Sequence, residues 1–302
     1  MPGLRVLFLA TRPWSFLMTI VATTLGLTLA VRTGFTGLYD LILFLLVLAG
    51  LISLHAAANM VNDLYDVKHE VDKPSSPTAR YRRHYILIGE IKVTAFMLEI
   101  LFFYAVAISI AAYFVIIRGW VVLFFALAGA FLTYAYTADP FKLKHLALGE
   151  ISVFLAWGPL MTTGTYYVLT GILDWLPVYA SIPIGLFVAL VLFANNMRDI
   201  EYDRAAGIKT LAIVLGHRRS LAFYKYTLIS IYVFLGLLVV LKVFSAYALI
   251  AYLTIPKAAK IVRMFYERIP EAADPITAQL SFNFGSLLIL GEALNLLLKS
   301  FI

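Results

Sequence analysis

The 302-residue sequence contains no cysteine, which excludes disulfides and thiolate metal sites and leaves redox chemistry silent about compartment. Charge is scarce as well. Asp, Glu, Lys and Arg make up only 14% of the residues, and 17 residues are acidic. Against this, 62% of the residues are hydrophobic, and the mean hydropathy is +0.91. One soluble core of this size cannot hide so much apolar surface, whereas a bilayer can. The N-terminus does not read as a secretory signal: Arg5 and Arg12 precede an apolar run long enough to span, and no small-residue cleavage pattern follows it.

What the chain does have is long apolar runs. Stretches near or above the roughly 20 residues needed to cross a bilayer fall at about 13–32, 40–62, 93–117, 119–137, 146–171, 175–196, 219–241, 243–266 and 275–299. The expectation is an all-α membrane protein, a single domain over 1–302 with about nine transmembrane helices. The eighth run is the weakest, because Pro256 interrupts it. Sorting the basic residues by side tests it: nine crossings put 20 of the 24 Lys and Arg on the N-terminal side and 4 on the other, whereas eight give 17 against 7. The positive-inside bias favours nine, with the N-terminus cytoplasmic, in a multi-pass cytoplasmic membrane. The same asymmetry accounts for the net charge of +7, so nucleic acid is not an expected partner. Two charged cap loops, about 63–92 and 197–218, fall on the cytoplasmic side and are where function is expected.

Seven of the 17 acidic residues lie in two short segments at the heads of these caps, 59–73 and 195–204: Asp63, Asp66, Glu70, Asp72, Asp199, Glu201 and Asp203. At 100° per residue, His55, Asn59, Asn62, Asp63 and Asp66 share one helical arc, a polar stripe that should face a cavity rather than lipid. The second cap places Asp199 and Asp203 one turn apart. Each cap contains an Asn followed four residues later by an Asp, as Asn62/Asp66 and Asn195/Asp199, which hints at two related halves. One such segment alone would be an ordinary charged helix end; two matched ones on the same membrane side call for a common cause. Facing carboxylates in a partly dry site repel unless a cation separates them. Oxygen-only ligands suit Mg²⁺ far better than Zn²⁺, and Mg²⁺ so held usually completes its shell with water and phosphate oxygens. Lys68, Arg82 and Arg198 lie in or beside these segments, and Lys142 and Lys144 sit in a short loop nearby, as candidate diphosphate ligands. Glu99, Glu150 and Glu292 lie in or at the edge of apolar runs, where a carboxyl is costly.

At these residues the sequence resembles the UbiA superfamily of intramembrane prenyltransferases. The resemblance rests on Asn62-Asp63-x-x-Asp66 with Asp72, and on Asn195-Asn196-Met-Arg198-Asp199-Ile-Glu201-x-Asp203-Arg204. The third acid of the first motif is Glu70 or Asp72; the longer spacing, to Asp72, is similar to the dihydroxynaphthoate prenyltransferase branch of menaquinone synthesis. Similarity to that branch extends through Arg12-Pro13, His84 to Gly89, Tyr136 to Phe141, Leu148 to Glu150 and Asp203 to Leu211, and departs at Asp139, where a small residue is expected. The resemblance implies helices around a central cavity. It further implies Mg²⁺ on Asn62, Asp66, Asp72, Asn195, Asp199 and Asp203, with Asp66 and Asp199 catalytic. Arg12, His55, Tyr136 and Asp139 then become candidate acceptor contacts. The implied partners are an isoprenyl diphosphate donor, an aromatic or lipid acceptor and membrane lipid. Two alternatives stand beside this reading: geranylgeranylglyceryl phosphate prenylation within the same superfamily, and an ion-coupled transporter, against which the acids cluster at one face rather than at the midplane.

Overall fold

The computed structural model describes residues 3–73 and 82–300, so Arg80 in the first cap lies outside the described residues. The chain runs α1 (Leu4–Ala10), a 3₁₀ turn (Pro13–Ser15), α2 (Phe16–Val31), α3 (Leu38–Lys68), α4 (Val93–Arg118) and α5 (Val121–Ala135). A second 3₁₀ turn (Leu143–His145) leads to α6 (Gly149–Leu155), a π turn (Ala156–Leu160) and α7 (Met161–Thr170). Then come α8 (Leu176–Arg198), α9 (Ile200–Ala205), α10 (Leu211–Leu215), α11 (His217–Val240), a 3₁₀ segment (Ala246–Thr254), α12 (Ile255–Glu267) and α13 (Ala273–Ser300).

Among the described residues, six helices are long and apolar enough to cross a bilayer: Pro13–Val31, α3, α4, α8, α11 and Ala273–Lys299. The other three expected runs are helical too, but short or broken. Helix α5 has 15 residues. The run over 149–170 is split by the π turn at Pro159, whose missing N–H and ring clash with the preceding turn widen the helix locally. The doubtful eighth run divides at residue 255 into the 3₁₀ segment and α12, and Pro256 sits in the first turn of α12, where its missing N–H costs no bond.

Helix α8 is the centre of the bundle. Of its apolar stretch 61% is buried, against 11% for α4, which lies on the rim with most of its side chains outward. Close approaches between backbones make this packing possible. A Cβ on Gly185 of α8 would stand 2.9 Å from Cα of Gly158 in the π turn, so the kinked segment lies directly on the central helix. On the far side of the bundle, a Cβ on Gly291 of α13 would meet the Tyr247 carbonyl oxygen at 2.2 Å. There the fully buried Glu292 pairs with Arg32 and accepts the Ser245 backbone N–H at 2.6 Å, while Arg32 also donates to the Val243 carbonyl at 2.7 Å. One ion pair thus ties α2, α13 and the chain between α11 and the 3₁₀ segment together.

Both caps begin inside helices. Residues Asp63 to Lys68 are the last turns of α3, and the second cap folds into α9 and α10 after Arg198 ends α8. The caps touch: Tyr202 Oη donates to the Val71 carbonyl at 2.9 Å.

Gly291→Ala should push α13 off the 3₁₀ segment and cost about 1–3 kcal/mol of stability through overpacking, read as a lowered thermal midpoint in detergent. An unchanged midpoint contradicts the close packing described.

Candidate active site

The polar stripe of α3 divides into two faces. Towards α2, His55 lies 3.2 Å from Ser15 Oγ through Nε2 and 2.8 Å from Thr19 Oγ1 through Nδ1. Asn59 donates to the Thr11 carbonyl and to Ser15 Oγ, both at 2.9 Å. Asp63 pairs with Arg12, which adopts a left-handed backbone at φ 58°. Together these bonds hold the entry of α2 against α3.

The other face of α3 carries Asn62 and Asp66. Asn62 Nδ2 donates to Asp66 Oδ2 at 2.9 Å, and its Oδ1 accepts from Thr137 Oγ1 at 2.8 Å and from Lys144 Nζ at 3.1 Å. Lys144 also pairs with Asp66. Its backbone N–H bonds to the Tyr136 carbonyl at 3.0 Å, which fixes the loop carrying it beneath α3.

The second cap repeats the pattern. Arg198 donates to Asn195 Oδ1 at 2.8 Å and grips Asp199 with Nε at 2.7 Å and Nη2 at 2.6 Å. Its remaining nitrogen reaches Asp274 Oδ1 at 2.5 Å, in the first turn of α13. Each Asn–Asp pair therefore offers two oxygens to one cationic nitrogen, Lys144 in the first half and Arg198 in the second. The Asp203 N–H bonds to the Asp199 carbonyl at 2.8 Å, which keeps the expected one-turn spacing across the helix break.

Electrostatics brings the halves together. Burial, followed by the charges of Asp199 and Asp66, pushes the Asp203 carboxyl up to about 7, against a partial offset from Lys144. An acid of the second cap thus feels an acid of the first. Tyr136 lies in the combined fields of Glu150, Asp66, Arg12 and Asp203. Beneath it, Asn196 donates to buried Glu150 at 2.9 Å. A carboxylate set that holds one member near neutrality and seats an ammonium and a guanidinium between Asn and Asp oxygens has the donor chemistry of a hard divalent-cation site.

Of the two candidates for the third acid, Glu70 points to solvent and pairs with Lys73 at 3.3 Å, whereas Asp72 is buried. Burial alone would raise Asp72, but the His84 hydrogen bond and the Arg82 charge outweigh it and hold the carboxyl below its usual range. Asp63, Asp72 and His84 form a knot in which the ligand atoms lie within 4.8 Å of one another. Arg82 bonds Asp63 at 2.6 and 3.1 Å and approaches Asp72 at 3.9 Å. Two arginines, Arg12 and Arg82, therefore face two aspartates in this knot. Asp72 still lies within the field of Asp66.

Not every residue singled out in the sequence converges here. Asp139 is half-exposed and takes Lys142 at 2.6 Å, His69 at 3.1 Å and Lys68 at 3.2 Å. These partners hold its carboxyl below the usual range, the Lys142 hydrogen bond first. Lys68 and Lys142 are thus spent on Asp139 rather than on Asp66, and Arg12 and Arg82 on Asp63. His55 lies deeper, with Trp157 at 4.8 Å between ring centroids, on the wall of an apolar cavity of about 200 Å³ lined also by Tyr104 and Phe125. The π turn puts Trp157 there, and its Nε1 donates to Thr19 at 3.1 Å. Sequence reasoning assigned no role to Thr137, His84 or Asp274. His84 and Thr137 stood inside stretches of similarity, but nothing in its spacing marks Asp274, which reaches the site from α13.

Residues 19–286 match the model of the UbiA prenyltransferase family. The chain is 30% identical over 299 residues to UbiA prenyltransferase domain-containing protein 1 of Dictyostelium discoideum, covering 96% of this chain and 88% of that protein. It is 28% identical over 291 residues to the 1,4-dihydroxy-2-naphthoate octaprenyltransferase of Bacillus subtilis, covering 95% and 92%. Among solved structures it is similar to a UbiA homolog from Aeropyrum pernix at a TM-score of 0.69 and 16% identity, covering 91% of this chain and 97% of that one. It is also similar to a UbiA homolog from Archaeoglobus fulgidus bound to DMAPP and Mg²⁺, at a TM-score of 0.61 and 18% identity, covering 93% and 97%.

A divalent cation that binds Asp203 must displace its proton. Apparent Mg²⁺ affinity, measured by titration calorimetry, should therefore fall below pH 7, by up to about tenfold per pH unit for one coupled proton. The raised Asp203 also makes the metal-free protein more stable at low pH, with that stability lost as pH rises through about 7. Asp203→Asn should flatten both dependences; a wild-type Mg²⁺ affinity independent of pH across that range contradicts the assignment.

Proposed function

Because the chain belongs to the UbiA prenyltransferase family, we propose that it transfers an isoprenyl group from an allylic diphosphate to a hydroxylated aromatic acid of the naphthoate, quinone-precursor type. The supporting observation is the matched pair of Asn–Asp clamps, each seating one cationic group, with Asp203 in the field of both halves. The naphthoate assignment is supported by the similarity to the Bacillus subtilis octaprenyltransferase along nearly the whole of both chains.

In this reading Asn62, Asp66, Asp72, Asn195, Asp199 and Asp203 would hold Mg²⁺, with Asp72 reaching it from the first cap. Mg²⁺ bound there neutralises the charge that develops on the departing diphosphate and so lowers the barrier to C–O cleavage. Lys144 and Arg198 add positive charge at the same place, with Arg198 suited to fork binding of phosphate oxygens. The apolar cavity at His55 and Trp157 receives the isoprenyl tail and excludes water, which would quench the allylic cation. Ring faces of Trp157 and Tyr104 stabilise positive charge in that cavity. The ring carbon of the acceptor attacks the cation after the diphosphate has left, and the ring regains aromaticity by giving up its proton or its carboxylate as CO₂, with Arg12, His55, Tyr136 and Asp139 on the acceptor side.

The membrane arrangement follows the same reading: nine crossings with the short α5, the kinked 149–170 segment and the divided eighth run included, the N-terminus and both caps cytoplasmic. It is supported by the placement of 20 of the 24 basic residues on one side.

Asp66→Ala and Asp199→Ala should each abolish prenyl transfer while the protein still elutes as a folded species from size exclusion, and EDTA should silence the wild type. An acceptor panel with several allylic diphosphates and Mg²⁺, products read by mass spectrometry, should give a prenylated aromatic ring. A prenylated glycerol phosphate alone, or wild-type turnover that survives EDTA, overturns the reading.

A further inference from the structure

On the side of the bundle away from the apolar cavity, α12 and α13 enclose a groove of about 350 Å³ with an unusual lining for a lipid-facing surface. Lys257 projects from α12, and Asn283 and Ser286 from successive turns of α13; Leu253 and Leu287 form the apolar part of the wall. None of the three polar side chains makes a hydrogen bond or ion pair among the described residues. Lys257 stands ten residues before the end of α12 and Asn283 ten residues after the start of α13, so both line the groove at the same level of the α12–α13 hairpin. An unpaired ammonium and a free amide beside an apolar wall call for a polar partner.

The surroundings supply more positive charge. Helix α12 packs Ala258, Ile261 and Phe265 inward and turns Lys260 and Arg263 outward. Tyr224 of α11 stacks on Phe265 at 4.6 Å, so the basic start of α11 lies beside the end of α12. Arg218, Arg219, Lys260, Arg263 and Arg268 are all exposed and carry no ion pair among the described residues. The acids on these stretches number one, Glu267, against seven Lys and Arg over 217–226 and 255–268.

We propose that this groove is a binding site for the headgroup of an anionic phospholipid. The ammonium of Lys257 and the amide of Asn283 donate to phosphate oxygens, Ser286 adds a hydroxyl, and Lys260 and Arg263 meet the outer part of the headgroup. Leu253 and Leu287 pack against the start of the acyl chains, contacts that free phosphate lacks. Charge complementarity selects the occupant, since a zwitterionic headgroup presents its own cation to a surface already rich in cations. The site requires only that the chain lies in a bilayer; it is separate from the acidic pocket and independent of the transfer chemistry.

The test is native mass spectrometry of the full chain taken from nanodiscs of equal phosphatidylglycerol and phosphatidylcholine. Wild type should retain phosphatidylglycerol in preference, and Lys257→Gln should cut that preference about tenfold, the loss of one charge-assisted contact. Asn283→Leu, a change that suits a membrane helix, should lower it as well and serves if the lysine variant fails to fold. Lys299→Gln, at the other end of α13, should leave it intact. Excess inorganic phosphate at matched ionic strength should not displace the lipid. Equal retention of the two lipids by wild type, a preference unchanged in both groove variants, or displacement by phosphate alone overturns the proposal. Since lipid retention is read without turnover, failure here leaves the transferase reading untouched, and loss of the transferase reading leaves this one standing.

Discussion

Carboxylates placed close together away from bulk water repel one another, and a fold that keeps them there must supply positive charge at the same spot. The arrangement of this protein follows from that constraint. Asn62 and Asp66 end one long apolar helix, Asn195 and Asp199 end another, and Asp203 follows one turn later. Helix C-terminal ends add partial negative charge of their own, which deepens the need for cations. The protein meets it with Lys144 and Arg198, each placed between an Asn oxygen and an Asp carboxylate. Lys144 comes from a short, sharply turned segment outside the helix it serves, whereas Arg198 belongs to its own. Lys144 follows the left-handed Lys142 (φ 46°), and Arg198 is the last residue of α8.

A second knot holds the frame on which this site stands. Asp63 is spent on Arg12 and Arg82, and His84 spans from Asp63 to Asp72, so α1, α3 and the first cap share one cluster. Neighbouring acids in one motif thus do different work. Asp63 ties the N-terminal segment down, whereas Asp66, three residues later, faces the cation pocket. The division explains why the polar stripe of α3 covers a wide arc: one edge binds α2 and the other binds chemistry. At the opposite end of the bundle, Arg32 and Glu292 do a purely structural version of the same pairing.

The sequence carried the fold class and the two acidic caps plainly, because apolar runs and repeated Asn-x-x-x-Asp spacing are local properties. The length and breaks of individual helices were less legible. Pro256 read as an interruption, yet it starts α12; Pro159 left no mark in the hydropathy of its run, yet the helix opens into a π turn there. Pairings across the fold were not legible at all. Nothing in the spacing of Asp139 announces that Lys68, His69 and Lys142 surround it. Thr137, in the turn after α5, and Asp274, in the first turn of α13, join the site without a local pattern, since a single Thr or Asp near a helix end has no spacing to betray its partner. Spacing offered both Glu70 and Asp72 as the third acid of the first cap and could not report that Asp72 is buried and Glu70 exposed.

The central claim is that both caps serve one cation site. Its most direct test is to replace Mg²⁺ by Mn²⁺, add an unreactive diphosphate analogue, and locate the metal by anomalous X-ray diffraction. The account predicts metal density between Asn62/Asp66 and Asn195/Asp199/Asp203. Metal confined to Asp63, Asp72 and His84, or bound to one cap without the other, would contradict it.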